Sequence, residues 1–158
     1  MRTQDLMLGD WVGYIASWYD EDDPTKLVKG FETPIPIKAT FITPDAIQFD
    51  EENPEDGSVV TCEALDYELH PIPLTIELLE RIGFRRFHPS ARLWEYGRRV
   101  YVDLNCPRNG RIMIGIGGNS HRLEYLHQLQ HVFRLCGIRD EITYEQIYGK
   151  EENRIDAE

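Results

Sequence analysis

The pattern of the sequence changes within residues 71–83, which read PIPLTIELLERIG. The two prolines end the extended segment before them, because proline lacks the amide hydrogen that a β-ladder uses. Thr75 is a good N-cap and Gly83 is a good helix stop. Apolar residues recur between them at helical spacing, namely Ile76, Leu79 and Ile82. The stretch therefore predicts a short amphipathic helix over residues 75–82, between two differently patterned halves.

Short apolar segments rich in β-branched residues fill the first half. Residues 6–15 predict a strand with a kink or bulge at Gly9-Asp10, and residues 35–42 predict an edge strand because prolines interrupt them. Residues 43–46, Thr-Pro-Asp-Ala, are typical of a turn and predict a hairpin between residues 41–42 and a strand at residues 47–49. Two further strands are predicted over residues 58–64 and 67–70. Five short strands within roughly 70 residues predict a small SH3-like β-barrel.

The second half mixes helices with strands. An antiparallel meander of three strands is predicted over residues 91–96, 99–104 and 111–116. Residues 117–120, Gly-Gly-Asn-Ser, end the third strand and supply the N-cap of a helix over residues 121–135. The apolar face of that helix contains Tyr125, Leu126, Leu129, Val132, Phe133 and Cys136. Gln128 lies off this face and is expected to contribute little to stability.

The complete prediction is an α+β protein, with an N-terminal small SH3-like β-barrel followed by a C-terminal α-β-β-β-α layer. The barrel-like half covers residues 1–70, the α-β-β-β-α half covers residues 71–148, and residues 149–158 are expected to form a charged flexible tail. A chain of 158 residues fits one domain or two very small ones. Hydrophobic residues make up 41% of it, which excludes a chain that is disordered throughout.

Neither a membrane segment nor a cysteine framework is indicated. No window approaches about 18 uninterrupted apolar residues, and the start of the chain lacks the apolar run of a secretory signal. Cys62, Cys106 and Cys136 lie far apart, and their odd number supports neither a disulfide framework nor a zinc ribbon. We expect a cytoplasmic protein with reduced thiols, no cofactor and no membrane partner.

Charge is distributed unevenly along the chain, whose formal net charge is -11. Residues 1–80 hold 18 acidic and 4 basic side chains, whereas residues 81–137 hold 3 acidic and 10 basic ones. All ten of these basic residues are arginines, which form forked contacts with phosphate or carboxylate. Candidate binding residues in this block are Arg85, Arg86, Arg98, Arg99, Arg108 and Arg111. Two partners fit them: nucleic acid, through neutralisation of its phosphates, or the acidic first half of the same chain or of a neighbouring copy.

Aromatic residues cluster near the start of the chain, where Trp11, Tyr14 and Trp18 are candidate binding residues. In one continuous strand over residues 6–19, Tyr14 and Trp18 would share a face and Trp11 would lie on the other. Small barrels use such aromatics either to fill the core or to line a groove for a peptide or nucleic acid. Two acidic turns accompany them, at residues 20–23 and 50–56. These turns favour a basic peptide in such a groove.

A third pattern has the spacing of metal ligands. Glu124, His127 and His131 converge on one side of a continuous helix, where imidazole and carboxylate groups bind transition metals in hydrolases. The alternative is a solvated or interface polar face. We favour this alternative because the sequence places neither a fourth ligand nor an orienting carboxylate beside the three residues.

Three motifs occur here in an order that is found in one family. They are Gly-Asp-Trp-Val at residues 9–12, the Pro-Leu-Thr helix entry at residues 73–75, and Tyr-Leu-His-Gln-Leu-Gln at residues 125–130. With these motifs the chain resembles a family of small uncharacterised proteins from gut anaerobes and their mobile elements. The resemblance covers residues 6–15 and 70–137, and it implies no activity, cofactor or catalytic residue.

These patterns favour a non-enzymatic protein-binding or adaptor module. The resemblance implies that such a module is encoded on a mobile element. A protein partner is expected. Nucleic-acid binding through the arginine-rich segment 81–134 is the first alternative, and a metal-dependent hydrolase is the second. An enzyme is the less favoured class, because no serine of the chain lies in a Gly-x-Ser-x-Gly elbow.

Overall fold

The prolines at positions 71 and 73 coincide with the boundary between two compact units, an N-terminal unit (Met1–Ile72) and a C-terminal unit (Pro73–Glu158). The protein is α+β, with many strands and few helices. The structure, a computed structural model, describes residues 1–23, 25–30, 33–53, 56–87, 93–97, 100–106, 111–116 and 119–148. The predicted tail at residues 149–158 lies outside the described residues.

Eight strands lie in the described part of the N-terminal unit. They are β1 (Trp11–Tyr14), β2 (Ser17–Tyr19), β3 (Leu27–Lys29), β4 (Ile35–Lys38), β5 (Phe41–Ile42), β6 (Ala46–Glu52), β7 (Val59–Leu65) and β8 (Leu69–His70). β1 pairs with β4 on one side and β8 on the other, β6 pairs with β5 and β7, and β2 and β3 form a separate hairpin. All of these pairs are antiparallel, and a 3₁₀ turn at Asp66–Glu68 connects β7 to β8.

The predicted hairpin at residues 43–46 is confirmed, since Ile42 lies opposite Ile47 across it. The backbone N–H of Thr43 donates to the carbonyl of Ala46 at 2.8 Å, and the Ala46 N–H donates to Oγ1 of Thr43 at 3.0 Å. Alternate side chains of a strand point to opposite faces, so this register directs Ile47 and Phe49 of β6 inward. The core of the unit consists of Leu6, Val12, Ile37, Ala39, Ile47, Phe49, Ala64 and Leu69.

The strand predicted over residues 6–15 forms only at β1, after a turn at the position of the predicted kink, and a continuous strand extended to residue 19 is wrong. Oδ2 of Asp10 accepts a hydrogen bond from the Met7 N–H at 2.8 Å, which closes a turn before β1. Gly9 in this turn has a φ of 80°, a conformation that glycine adopts without steric cost. Beyond β1, the Ile15 N–H donates to the carbonyl of Glu68 at 3.0 Å, and β2 begins separately at Ser17.

Five strands and three helices lie in the described part of the C-terminal unit. They are α1 (Ile76–Ile82), β9 (Arg85–Arg86), β10 (Leu93–Tyr96), β11 (Val100–Cys106), β12 (Arg111–Ile116), β13 (Asn119–Leu123), α2 (Leu126–Leu135) and α3 (Tyr144–Tyr148). The strands form one antiparallel sheet in the order β13-β12-β11-β10-β9. The prediction of α1 is confirmed, because Oγ1 of Thr75 accepts a hydrogen bond from the Leu78 N–H at 3.1 Å and Gly83 ends the helix at a φ of 112°.

The predicted α-β-β-β-α order is wrong in two respects. The sheet has five strands rather than three, because β9 and β13 add one strand at each edge. Ser120 lies opposite Gly115 of β12, so it belongs to a strand and is not the N-cap of a helix. Pairing with β12 satisfies the backbone of residues 119–123, and α2 begins only at Leu126. Residues 117–118 of the predicted cap lie outside the described residues.

The buried face of α2 matches the prediction at Leu126, Leu129, Val132 and Phe133, which are all buried. The other two residues assigned to this face, Tyr125 and Cys136, flank the helix and are only half-buried. The Phe133 ring lies 4.7 Å from that of Tyr96 on β10 and 6.1 Å from that of Phe84. The sheet contributes buried side chains from three neighbouring strands, Trp94, Val102 and Ile114. The helix and the sheet therefore share one core within this unit.

Tyr96 links the sheet to the segment between α2 and α3. Its hydroxyl donates a hydrogen bond to Oδ2 of Asp140 at 2.6 Å. Burial, followed by this bond to the Asp140 carboxylate, raises the pKa of Tyr96 from 10.0 to about 12. Because the pKa is higher in the folded state, the stability that this environment contributes is present below pH 10 and is lost as the pH rises through about 12.

We expect Tyr96→Phe to lower the free energy of unfolding by about 1 kcal/mol near neutral pH, the usual contribution of one hydrogen bond. The difference between the variant and the unchanged protein should shrink between pH 10 and about 12. Thermal unfolding followed by circular dichroism across this pH range measures it. A difference that stays constant with pH contradicts the role given to the Tyr96–Asp140 bond.

Candidate functional site

The three aromatic residues predicted as a site occupy different environments. Trp11, opposite Lys38, is half-buried. Tyr14 packs against the core with its ring 5.2 Å from that of Phe49, and burial, followed by the nearby Glu68 carboxylate, raises the pKa of Tyr14. Trp18 is 52% exposed. Of the three, Trp18 therefore presents the largest surface to a partner.

Trp18 lies on the β2–β3 hairpin, which we call the acidic hairpin (residues 17–30). It is paired with Val28 in the register of the two strands. A Cβ atom added to Gly30 would lie 3.0 Å from Cζ3 of the Trp18 ring, so the ring lies against a position that has no side chain. This close approach holds the indole against the hairpin and leaves about half of the residue exposed.

Two of the four carboxylates in the turn of the acidic hairpin stabilise the turn itself. The Asp20 carboxylate pairs with the Lys26 ammonium at 3.4 Å. Oδ1 of Asp23 accepts hydrogen bonds from the Thr25 hydroxyl at 2.6 Å and from the Thr25 N–H at 3.0 Å. These hydrogen bonds lower the pKa of Asp23, and they keep the carboxylate ionised at neutral pH.

The other two carboxylates of the turn, those of Glu21 and Asp22, are exposed. Among the residues that the structure describes, neither carboxylate forms a hydrogen bond or an ion pair. The acidic hairpin thus presents two available carboxylates close in sequence to an exposed indole. This combination suits an organic cation, which is attracted both to carboxylates and to the face of an aromatic ring.

Glu68 fixes the base of the acidic hairpin, a role that sequence reasoning missed. Its side chain is buried, with Oε1 accepting a hydrogen bond from the Ser17 N–H and Oε2 accepting one from the Leu65 N–H, both at 2.9 Å. The Leu65 side chain has no acceptor, so Glu68 forms only one half of a capping box, and the Ser/Thr-x-x-Glu pattern that would have indicated it is not in the sequence. Glu68 therefore attaches β2 to the 3₁₀ turn that precedes β8.

Tyr67 of the same 3₁₀ turn is 46% exposed. On β7, Sγ of Cys62 lies 3.7 Å from Oε2 of Glu51, and burial, followed by the Glu51 carboxylate, raises the pKa of the Cys62 thiol. A thiol with a raised pKa stays protonated at neutral pH and is a poor nucleophile.

The described arginines do not form one contiguous stripe. Arg85 and Arg86 lie on β9, and Arg122 lies on β13, which is the opposite edge of the five-stranded sheet. Four strand spacings separate these edges, a distance of roughly 19 Å. Arg98, Arg99 and Arg108 lie outside the described residues, and Arg111 begins β12. The arginines that follow one another in segment 81–134 are therefore divided between opposite edges of the sheet.

Acidic residues interrupt the arginines across the sheet. Arg85 lies directly opposite Glu95, and a second cross-strand row runs from Asp103 through Met113 to Arg122. Such alternation of charge reduces the positive potential that would attract a phosphate backbone. Arg86 instead lies over the Trp94 ring, 5.3 Å from its centroid, in a cation–π contact.

Glu124, His127 and His131 do not lie on one helix. Glu124 precedes α2 and pairs with Arg122. His127 is buried beside Tyr125, with the ring centroids 5.9 Å apart, and the His131 ring lies edge-on to that of His127. In the described ranges, no group of three or more His, Cys, Asp or Glu side chains could hold a metal ion.

No protein-family model, curated protein or solved structure matches this chain. The resemblance to a family from gut anaerobes therefore stays a prediction. Among the helices in the described part of the chain, none is both long enough and apolar enough to cross a membrane.

Proposed function

We propose that this protein is a non-enzymatic binding module whose N-terminal unit takes a basic segment of a partner protein. The observation that carries the proposal is the acidic hairpin, where Trp18 is 52% exposed and Glu21 and Asp22 are exposed in the adjoining turn. The charge of the unit supports it, because residues 1–72 contain 16 acidic and 4 basic side chains. A field of this sign attracts basic segments and repels nucleic acid.

We infer that the strands of this unit close into an SH3-like barrel. The pairing of β1 with both β4 and β8 supports this architecture, as does the pairing of β5 with β6. Only Ala39 and Thr40 separate β4 from β5, so the chain passes from one sheet to the next almost without interruption. A barrel holds its connecting segments on a rigid frame, and the acidic hairpin is one of these segments.

The chemistry of the hairpin sets the strength of binding. An exposed cation–π contact contributes about 0.5–1 kcal/mol. An exposed ion pair contributes about 0.2–1 kcal/mol and is screened by salt. One basic side chain is therefore insufficient, and we expect recognition of a segment with several basic residues and an affinity that depends on ionic strength.

A titration of the full chain with two probes tests this function. We expect a peptide in which arginine alternates with threonine to bind, with an affinity that weakens several-fold as the salt rises from about 50 to 200 mM, because added salt screens exposed charges. A peptide in which glutamate alternates with threonine, and a DNA duplex, should not bind at physiological ionic strength. Tighter binding of the duplex than of the arginine peptide overturns the proposal in favour of nucleic-acid binding.

A further inference from the structure

The outer edge of β3 lies beside the acidic turn, and among the strands that the structure describes only β2 pairs with β3. The Gly30 N–H donates to the carbonyl of Ala16 at 2.7 Å, and the Asp20 N–H donates to that of Lys26 at 2.9 Å. In an antiparallel pair, hydrogen-bonded residues alternate with residues whose backbone groups point away from the partner strand. The N–H and C=O groups of Leu27 and Lys29 therefore point away from β2.

The two edges of the hairpin differ in what they offer. On the β2 edge, the outward N–H of Ser17 already donates to the Glu68 carboxylate at 2.9 Å. On the β3 edge, no described residue forms a hydrogen bond with the outward backbone groups of Leu27 or Lys29. Unpaired backbone groups along a strand edge are a template for another strand.

We infer that the partner segment binds in an extended conformation, as a third strand added to the edge of β3. This inference rests on the proposed function and specifies how the basic segment is held. Backbone hydrogen bonds to Leu27 and Lys29 supply affinity that does not depend on the partner's sequence, and side chains at alternate positions supply the selectivity.

The charges along the hairpin determine which residues of the partner strand are favoured at each position beside β3. Lys26, next to the turn, is already paired with Asp20, so the turn end of β3 remains acidic through Glu21 and Asp22. Lys29, at the other end of β3, is exposed and repels a basic residue placed directly opposite it. The partner strand therefore carries its basic residues toward the turn and a neutral or acidic residue opposite Lys29.

A second copy of the chain fits this edge poorly. Each copy carries a formal charge of -11, so two copies repel each other at long range. Lysine on a short edge strand is also a common device against pairing between copies. A partner with opposite charge overcomes both obstacles, which favours a basic segment as the occupant.

Two substitutions at one position of the full chain test the inference. Leu27→Pro removes the outward N–H and places a ring at the edge, whereas Leu27→Ala shortens the side chain and keeps the N–H. We expect Leu27→Pro to weaken binding of the arginine–threonine peptide about five-fold or more, because one backbone hydrogen bond is lost. Leu27→Ala should weaken it by less than about two-fold, because the N–H is kept. Hydrogen exchange, measured with and without the peptide, should show new protection of the Leu27 and Lys29 amides.

The results distinguish loss of strand addition at the β3 edge from unfolding of the whole hairpin. Val28 pairs with Trp18 inside the hairpin, so protection of the Val28 amide from hydrogen exchange shows in every variant whether the hairpin itself is intact. If the peptide binds the unchanged protein and the variant with an intact hairpin equally, and the two amides gain no protection, strand addition is wrong while the proposed function stands. If the peptide does not bind the unchanged protein, the proposed function itself fails.

Discussion

Leu129→Ala is expected to lower the free energy of unfolding by about 2–5 kcal/mol, the range for truncation of a buried leucine. Leu129 is fully buried near the middle of α2, on the face that also buries Leu126 and Phe133. The truncation removes apolar contacts and leaves a cavity, and the densely packed surroundings relax only in part. Urea denaturation followed by circular dichroism measures the loss.

Gln128 on the same helix is the matched control, and here the structure changes the expectation. Oε1 of Gln128 accepts hydrogen bonds from the Glu124 N–H at 2.8 Å and from the Tyr125 N–H at 3.2 Å, so the side chain caps the start of α2. We therefore expect Gln128→Ala to cost about 1 kcal/mol, as the loss of a helix cap does, rather than the negligible amount expected from its position off the apolar face. Equal losses for the two variants contradict the assignment of the buried face.

Elements with strong local signals were predictable from the sequence. The helix α1 carries its own N-cap in Thr75 and its own stop in Gly83. The turn at residues 43–46 is closed by hydrogen bonds between Thr43 and Ala46, which are residues of the turn itself. The buried face of α2 follows from a helical period that persists over ten residues.

Elements that depend on a distant partner were not predictable. Residues 119–123 form β13 because β12 supplies their backbone hydrogen bonds, and no local pattern distinguishes this strand from the first turn of a helix. The break between β1 and β2 depends on Glu68, which lies more than fifty positions away and bonds to Ser17 with its side chain. Side-chain caps of this kind become visible only when the fold has brought the two segments together.

The same distinction applies to the candidate site. The sequence placed Trp18 beside an acidic turn, and the structure leaves Trp18 exposed there. The basic block at residues 81–137 is continuous in sequence, but strand order assigns Arg85 and Arg122 to opposite edges of one sheet. Strand order is a property of the whole unit, and a charge map along the chain does not contain it.

Trp18→Ala is expected to weaken binding of the arginine–threonine peptide about ten-fold. The substitution removes both the cation–π contact and the apolar area that a partner would cover, which together amount to roughly 1–2 kcal/mol. Because Trp18 is half exposed, the free energy of unfolding should change little. Phe87→Ala is the control, because Phe87 is 60% exposed but lies in the C-terminal unit, and it should leave the affinity unchanged.

The most direct measurement compares two acidic pairs by isothermal titration calorimetry with the same peptide. Glu21→Gln with Asp22→Asn removes the available carboxylates of the acidic hairpin, and Glu51→Gln with Glu52→Gln removes two exposed carboxylates from β6 of the same unit. The net charge changes equally in both variants. The proposal predicts that the first pair weakens binding about ten-fold and the second less than two-fold, since local contacts, and not total charge, hold the peptide. Equal weakening by the two pairs would contradict a binding site on the acidic hairpin.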